Sequence, residues 1–172
     1  ITLGDTAVNK VIPELNSELI NEIDFYVVEN IKTARRFLKK AGILKPINEL
    51  TFFELNKRTQ DTELPTFLKP IFEGKNVGVL SEAGCPGVAD PGADIVALAQ
   101  EQKIKVVPLV GPSSILLALM ASGFNGQSFC FNGYLPKDQK DRTRKIKELE
   151  KAAKNKQQTQ LFIETPFRNS HV

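Results

Sequence analysis

Histidine is all but missing from this sequence: His171 is the only one, close to the last of the 172 residues. That count leaves almost no basis for a histidine base or for a metal centre built on several imidazoles, and no metal site is expected. Cys85 and Cys130 stand alone, without a second pair or a neighbouring histidine, so neither a zinc site nor a disulfide framework is indicated. Long apolar runs are missing too. The longest, residues 115–121, falls far short of the roughly 20 residues of a membrane span, and no basic-then-apolar leader opens the sequence. The expectation is a soluble, cytoplasmic protein without membrane contact. No G-x-G-x-x-G dinucleotide loop occurs.

What is present is ordinary globular material, with 41% hydrophobic and 25% charged residues and enough chain for one large core or two modest ones. Apolar strand patterns at 24–29, 50–55, 76–80 and 105–109 alternate with helical spacing at 6–15, 31–41, 64–72 and 93–102. Such alternation predicts a mainly parallel sheet covered by helices, an α/β domain over 1–111. After the Gly111-Pro112 break, a helix at 113–122, a strand at 129–134, a charged helix at 141–154 and a strand at 159–164 read as the start of a second α/β domain, 112–172. That length is short for a self-sufficient domain. Ligands of parallel sheets sit beyond the carboxyl ends of the strands. Glu29, the loop after residue 80 and the turn after residue 109 all fall at such ends, which places three candidate motifs on one rim.

The most constrained of these is SEAGCPGVADPG, residues 81–92, with three glycines and two prolines between Gly84 and Gly92. Glycine lets backbone amides approach a ligand with no Cβ in the way, and proline fixes φ, so the loop loses little entropy on ordering. A tight structural turn is the plain alternative; the density of both residues at a strand end points to a binding loop. Charge is also uneven. Residues 137–156 hold nine basic and four acidic residues, a net of +5 within an overall +3, so the remainder of the chain is at −2. Such a run is either a solvated helix face or a phosphate-facing patch, with Arg142, Arg144 and Lys145 as the residues to test.

The glycine-rich segment resembles the signature of the RsmI-type ribosomal RNA methyltransferases, a branch of the tetrapyrrole methylase superfamily, whose usual form is SDAGxP followed by a DPG turn. Glu82 stands where that family has Asp, and Ala89 where it has Ser or Asn. The likeness extends over nearly the whole chain. Residues 3–43 resemble the family's opening, including the strand-end Glu29 before Thr33 and the pair Arg35-Arg36; VVPLVGPSSILLALMASG resembles its PGPSA segment, FNGYLPK its FEGFLP segment and LFIETPFR its YESPHR segment. The resemblance implies a tetrapyrrole-methylase-like fold of two α/β domains with a shortened C-terminal one, S-adenosylmethionine as methyl donor, ribosomal RNA or the small ribosomal subunit as partner, and a homodimer. Family members also carry a first strand before the position of Ile1 and more strands at the far end.

By matching motif positions, the resemblance assigns cofactor contacts to Leu3, Ala83, Gly84, Cys85, Val88, Ser113, Ser114 and Glu164. Small residues and backbone groups suit a bent cofactor, hydroxyls suit its polar ends, and an aliphatic suits its adenine. Ser113 and Ser114 are equally suited to cap the helix that follows, and Glu164 to pair with Arg168. If the acceptor is a ribose 2′-hydroxyl its proton must leave, and Glu29 and Glu82 are the candidate bases at the rim. Glu29 could instead pair with Arg35 or Arg36. Arg35, Arg36, Lys137 and Arg168 are the candidates for substrate phosphates, with surface solvation as the default for each. The leading expectation is 2′-O-ribose methylation of 16S ribosomal RNA. Methylation of a corrin or porphyrin precursor, or non-catalytic binding of S-adenosylmethionine or RNA, are the alternatives.

Overall fold

The computed structural model describes residues Ile1–Asn169. Packing divides the chain into two compact units, Ile1–Ser113 and Ser114 onward. The first unit opens with a 3-10 turn, Val8–Lys10, and helix α1, Glu14–Leu19. The helical spacing at 6–15 does not persist as one helix, because Pro13 cannot donate a backbone N–H and becomes the residue from which α1 begins. Strand β1 (Phe25–Val28), helix α2 (Ile31–Lys40), strand β2 (Thr51–Glu54), the short helices α3 (Leu64–Phe67) and α4 (Lys69–Phe72), strand β3 (Val77–Leu80) and helix α5 (Gly92–Glu101) follow. The helix expected at 64–72 is split at Leu68, with Pro65 and Pro70 each in the first turn of one half.

β1 lies at the centre of a parallel sheet of order β2-β1-β3, with Val28 opposite both Glu54 and Leu80. The three strands therefore end level, and Glu29 and Ser81 leave adjacent tips. Side chains of β1 alternate between two cores. Tyr26 and Val28 pack with Ala34 and Leu38 of α2, while Val27 packs on the other face with Phe67 of α3 and Ile95 and Ala99 of α5. Tyr26 is 1% exposed, stacks on Phe52 at 5.8 Å and donates its hydroxyl proton to the Ile20 carbonyl at 2.8 Å, so the one polar atom of the central strand's largest side chain is satisfied.

Residues 105–109, expected as a strand, join no ladder. An apolar β-branched stretch becomes a strand only where a neighbour supplies hydrogen bonds, and β3 pairs with β1 alone.

In the second unit, helix α6 (Ser114–Ser122) precedes strand β4 (Phe129–Tyr134), helix α7 (Gln139–Lys156), strand β5 (Thr159–Ile163) and the short α8 (Pro166–Asn169). β4 and β5 pair in parallel through the α7 crossover, with an irregularity between Phe131 and Tyr134 where Gly133 takes a φ of +65°. The Asn132 amide bridges that break, donating to the Cys130 and Leu161 carbonyls and to Gln160 Oε1. Asp138 caps α7 by accepting from the Lys140 and Asp141 amides, and Gln157 ends it in the left-handed region. Among the described residues no helix is long and apolar enough to cross a membrane, and no cluster of ligating side chains could hold a metal ion.

Candidate functional site

The loop leaving β3 is held from within. Ser81, buried, donates from Oγ to the Gly84 carbonyl at 2.8 Å, and Asp90 Oδ1 accepts from the amides of Gly87 at 3.0 Å and Gly92 at 2.8 Å. A Cβ at Gly92 would stand 2.6 Å from that Asp90 oxygen, so the clamp requires glycine there. Gly84 has a φ of +73°, and a Cβ added to it would meet Leu3 Cδ2 at 3.2 Å and the Pro112 carbonyl at 3.3 Å. The Gly84 amide donates to the Ile1 carbonyl at 3.0 Å, and the Cys85 thiol to the Pro112 carbonyl at 3.4 Å. Three segments distant in sequence, 1–3, 84–85 and 111–112, thus converge within the first unit. Ala83 and Val88 are exposed on the same loop. Beside the convergence lies a recess of about 100 Å³, lined by Ile12, Ile20, Phe37 and Val79 together with Gly84 and Cys85.

Carboxylates gather at the adjacent strand tip. Burial, then the Asp90 and Glu82 carboxylates, raise the Glu29 pKa above the ordinary carboxylate value, against an opposing pull from Lys57. Glu82 is exposed and held from the side: Thr33 Oγ1, in the first turn of α2, donates to Glu82 Oε1 at 2.5 Å. A crevice of about 10 Å³ bordered by Glu29, Leu55, Asp90 and Pro91 has room for about one water. The sequence assigns no role to Asp90, Thr33 or Lys57. The DPG turn is the available signal for Asp90 and the Thr of the family-like opening that for Thr33; nothing local marks Lys57.

The basic candidates are dispersed. Arg35 lays its guanidinium over the Phe52 ring at 5.2 Å, a mid-strand cation–π contact, and Arg36 is exposed on the same helix. In the second unit Lys137 is exposed before α7. Arg168 donates to the Leu135 and Pro136 carbonyls at 3.1 and 3.2 Å and lies 3.1 Å from Glu164 Oε1. The Glu164 side chain is only 4% exposed, and that contact lacks hydrogen-bond alignment, so both carboxylate oxygens keep unfilled acceptor capacity among the described residues. The pairing expected for Glu164 is present. Ser113 closes the first unit and Ser114 opens α6 of the second.

No protein-family model matches the chain. Individual relatives do. Ribosomal RNA small subunit methyltransferase I of Thermotoga maritima is 35% identical over 149 residues, which cover 87% of this chain and 63% of the relative. The protein of the same name from Bacillus subtilis is 34% identical over 151 residues, 88% of this chain and 49% of its own length, and that of Haemophilus influenzae is 30% identical over 151 residues, 88% and 50%. The chain is similar along most of its own length to these relatives, which share one name. It spans about half to just under two thirds of the length of these relatives. A solved structure, the methyltransferase CobJ, superposes with a TM-score of 0.56 at 20% identity over 91% of this chain and 64% of that one, so the fold is the tetrapyrrole methylase α/β fold.

Proposed function

We propose that this chain carries the methyl-donor site of an S-adenosylmethionine-dependent methyltransferase that acts on a ribose 2′-hydroxyl of small-subunit ribosomal RNA. The supporting observation is the meeting of Leu3, Gly84, Cys85 and Pro112 around a left-handed glycine, which brings three distant segments together at the tip of β3. That cradle suits a folded nucleoside sulfonium: Leu3 and Val88, both exposed, offer apolar cover beside a loop whose own hydrogen bonds hold it in place. When bound, S-adenosylmethionine supplies an activated methyl group.

The residues of this chain then have two tasks. The clamped loop fixes position, and orientation alone supplies much of the acceleration of a group transfer. Glu29 takes up the proton that the acceptor hydroxyl releases, and its raised pKa makes the ionised carboxylate a stronger base than an ordinary one. Thr33 holds Glu82 at the same rim, where its charge sustains the rise at Glu29. The names of the relatives support the ribosomal RNA substrate, and the CobJ likeness bears on fold alone. Mass mapping of small-subunit ribosomal RNA from cells lacking and then regaining the gene tests the reading. The expected result is one ribose methylation lost and restored; unchanged RNA would refute the assignment.

A further inference from the structure

α7 turns its apolar side to its own unit: Leu149 is buried, with Arg142, Lys145, Ala152 and Ala153 half-buried around it. Its outward side is basic. Lys140, Arg144, Lys147, Lys151 and Lys154 recur at spacings of four and three, all exposed, and at 3.6 residues per turn they form one stripe. With a rise of about 1.5 Å per residue the stripe runs about 21 Å and presents one cation every ~5 Å. Arg144 pairs with Asp141 at 2.9 Å and Lys154 with Glu150 at 2.7 Å, both solvent-exposed pairs of small value. Lys140, Lys147 and Lys151 have no carboxylate within ion-pair distance among the described residues. Like charges at these spacings repel, whereas a helix face that serves only solubility alternates its signs.

We propose that this stripe is a rail for the phosphodiester backbone of RNA, a sequence-independent contact that positions the substrate rather than selecting its bases. The inference rests on the RNA-substrate reading above for the identity of the polyanion. It also relocates the basic contact. Of the three residues marked by the charge run, only Arg144 lies on the stripe; Arg142 donates to the Lys137 carbonyl at 3.1 Å, and Lys145 faces Glu148 at 4.0 Å.

Fluorescence anisotropy of a labelled single-stranded RNA, titrated over a salt series with the wild-type chain, Lys147→Glu/Lys151→Glu and Lys145→Ala, tests the rail, with calorimetry of S-adenosylmethionine binding run on each. The stripe reversal should weaken RNA binding on the order of 10-fold at ~0.1 M salt and flatten the log–log salt slope by one to two units. Lys145→Ala should stay near wild type, and the heat of S-adenosylmethionine binding should be the same in all three. If the reversal disturbs helicity, Lys147→Gln/Lys151→Gln should show a smaller loss in the same direction. Parallel salt slopes would overturn the rail, as would an equal loss in Lys145→Ala, which would assign the effect to net charge. A wild-type chain that binds S-adenosylmethionine but no RNA would overturn the rail while leaving the methyl-donor reading standing.

Discussion

The base role proposed for Glu29 can be tested through its environment. Because burial and neighbouring carboxylates raise its pKa, the protonated form persists to higher pH than in an ordinary glutamate, and the proposed base role requires the ionised form. The rate should therefore rise with pH through an acid limb lying above the usual carboxylate range. Glu29→Gln should lower the rate constant on the order of 100-fold and remove that limb while S-adenosylmethionine affinity holds. Glu82→Gln, by removing a like charge, should shift the limb to lower pH. A pH–rate profile with the same limb in all three proteins would exclude Glu29 from the reaction.

Ala89 offers a stability test on the same loop. Its φ of +56° lies in the left-handed region, which costs a residue with a Cβ about 1–2 kcal/mol. Ala89→Gly should raise the unfolding free energy by about 1 kcal/mol, read from the denaturation midpoint at unchanged slope. A lower midpoint would mean that the methyl group makes contacts worth more than the strain.

Among the elements, α2 links the core to the rim. Its first turn is closed by Asn30, whose side chain accepts from the Lys32 amide at 2.9 Å and the Thr33 amide at 3.2 Å, and Thr33 is the residue that holds Glu82. Asn30→Ala should cost about 1 kcal/mol in thermal or denaturant unfolding. An unchanged stability would show that the packing of Ala34 and Leu38 alone sets the start of the helix.

Elements whose signals are local were legible in the sequence. β1 reads as an apolar strand ending before Glu29, α2 as a helix over 31–41, and the glycine-rich segment as a constrained turn, because each depends on residues within a few positions. The failures were tertiary or turned on a single proline. Residues 105–109 have strand composition but no ladder partner, and the helical spacing at 6–15 runs into Pro13. In the site, strand–helix alternation was enough to place Glu29 and Glu82 on one rim, whereas the approach of Asp90 and the hold of Thr33 on Glu82 depend on the register of β1 with β3 and on the folding of the loop. The same holds for the outward face of α7, since a charge run does not show which lysines its apolar side covers.

For the whole molecule, relatives of the ribosomal RNA small subunit methyltransferase I family match along 87–88% of this chain, while the chain spans 49–63% of those relatives. The first unit nonetheless contains the meeting of Leu3, Gly84, Cys85 and Pro112 complete within itself. Isothermal calorimetry of the chain with S-adenosylmethionine tests that claim most directly. The account predicts saturable heat at one site per chain, reduced at least 10-fold in affinity by Gly84→Val, which would push a side chain against Leu3 and the Pro112 carbonyl. A folded wild-type chain that releases no heat with S-adenosylmethionine would contradict it.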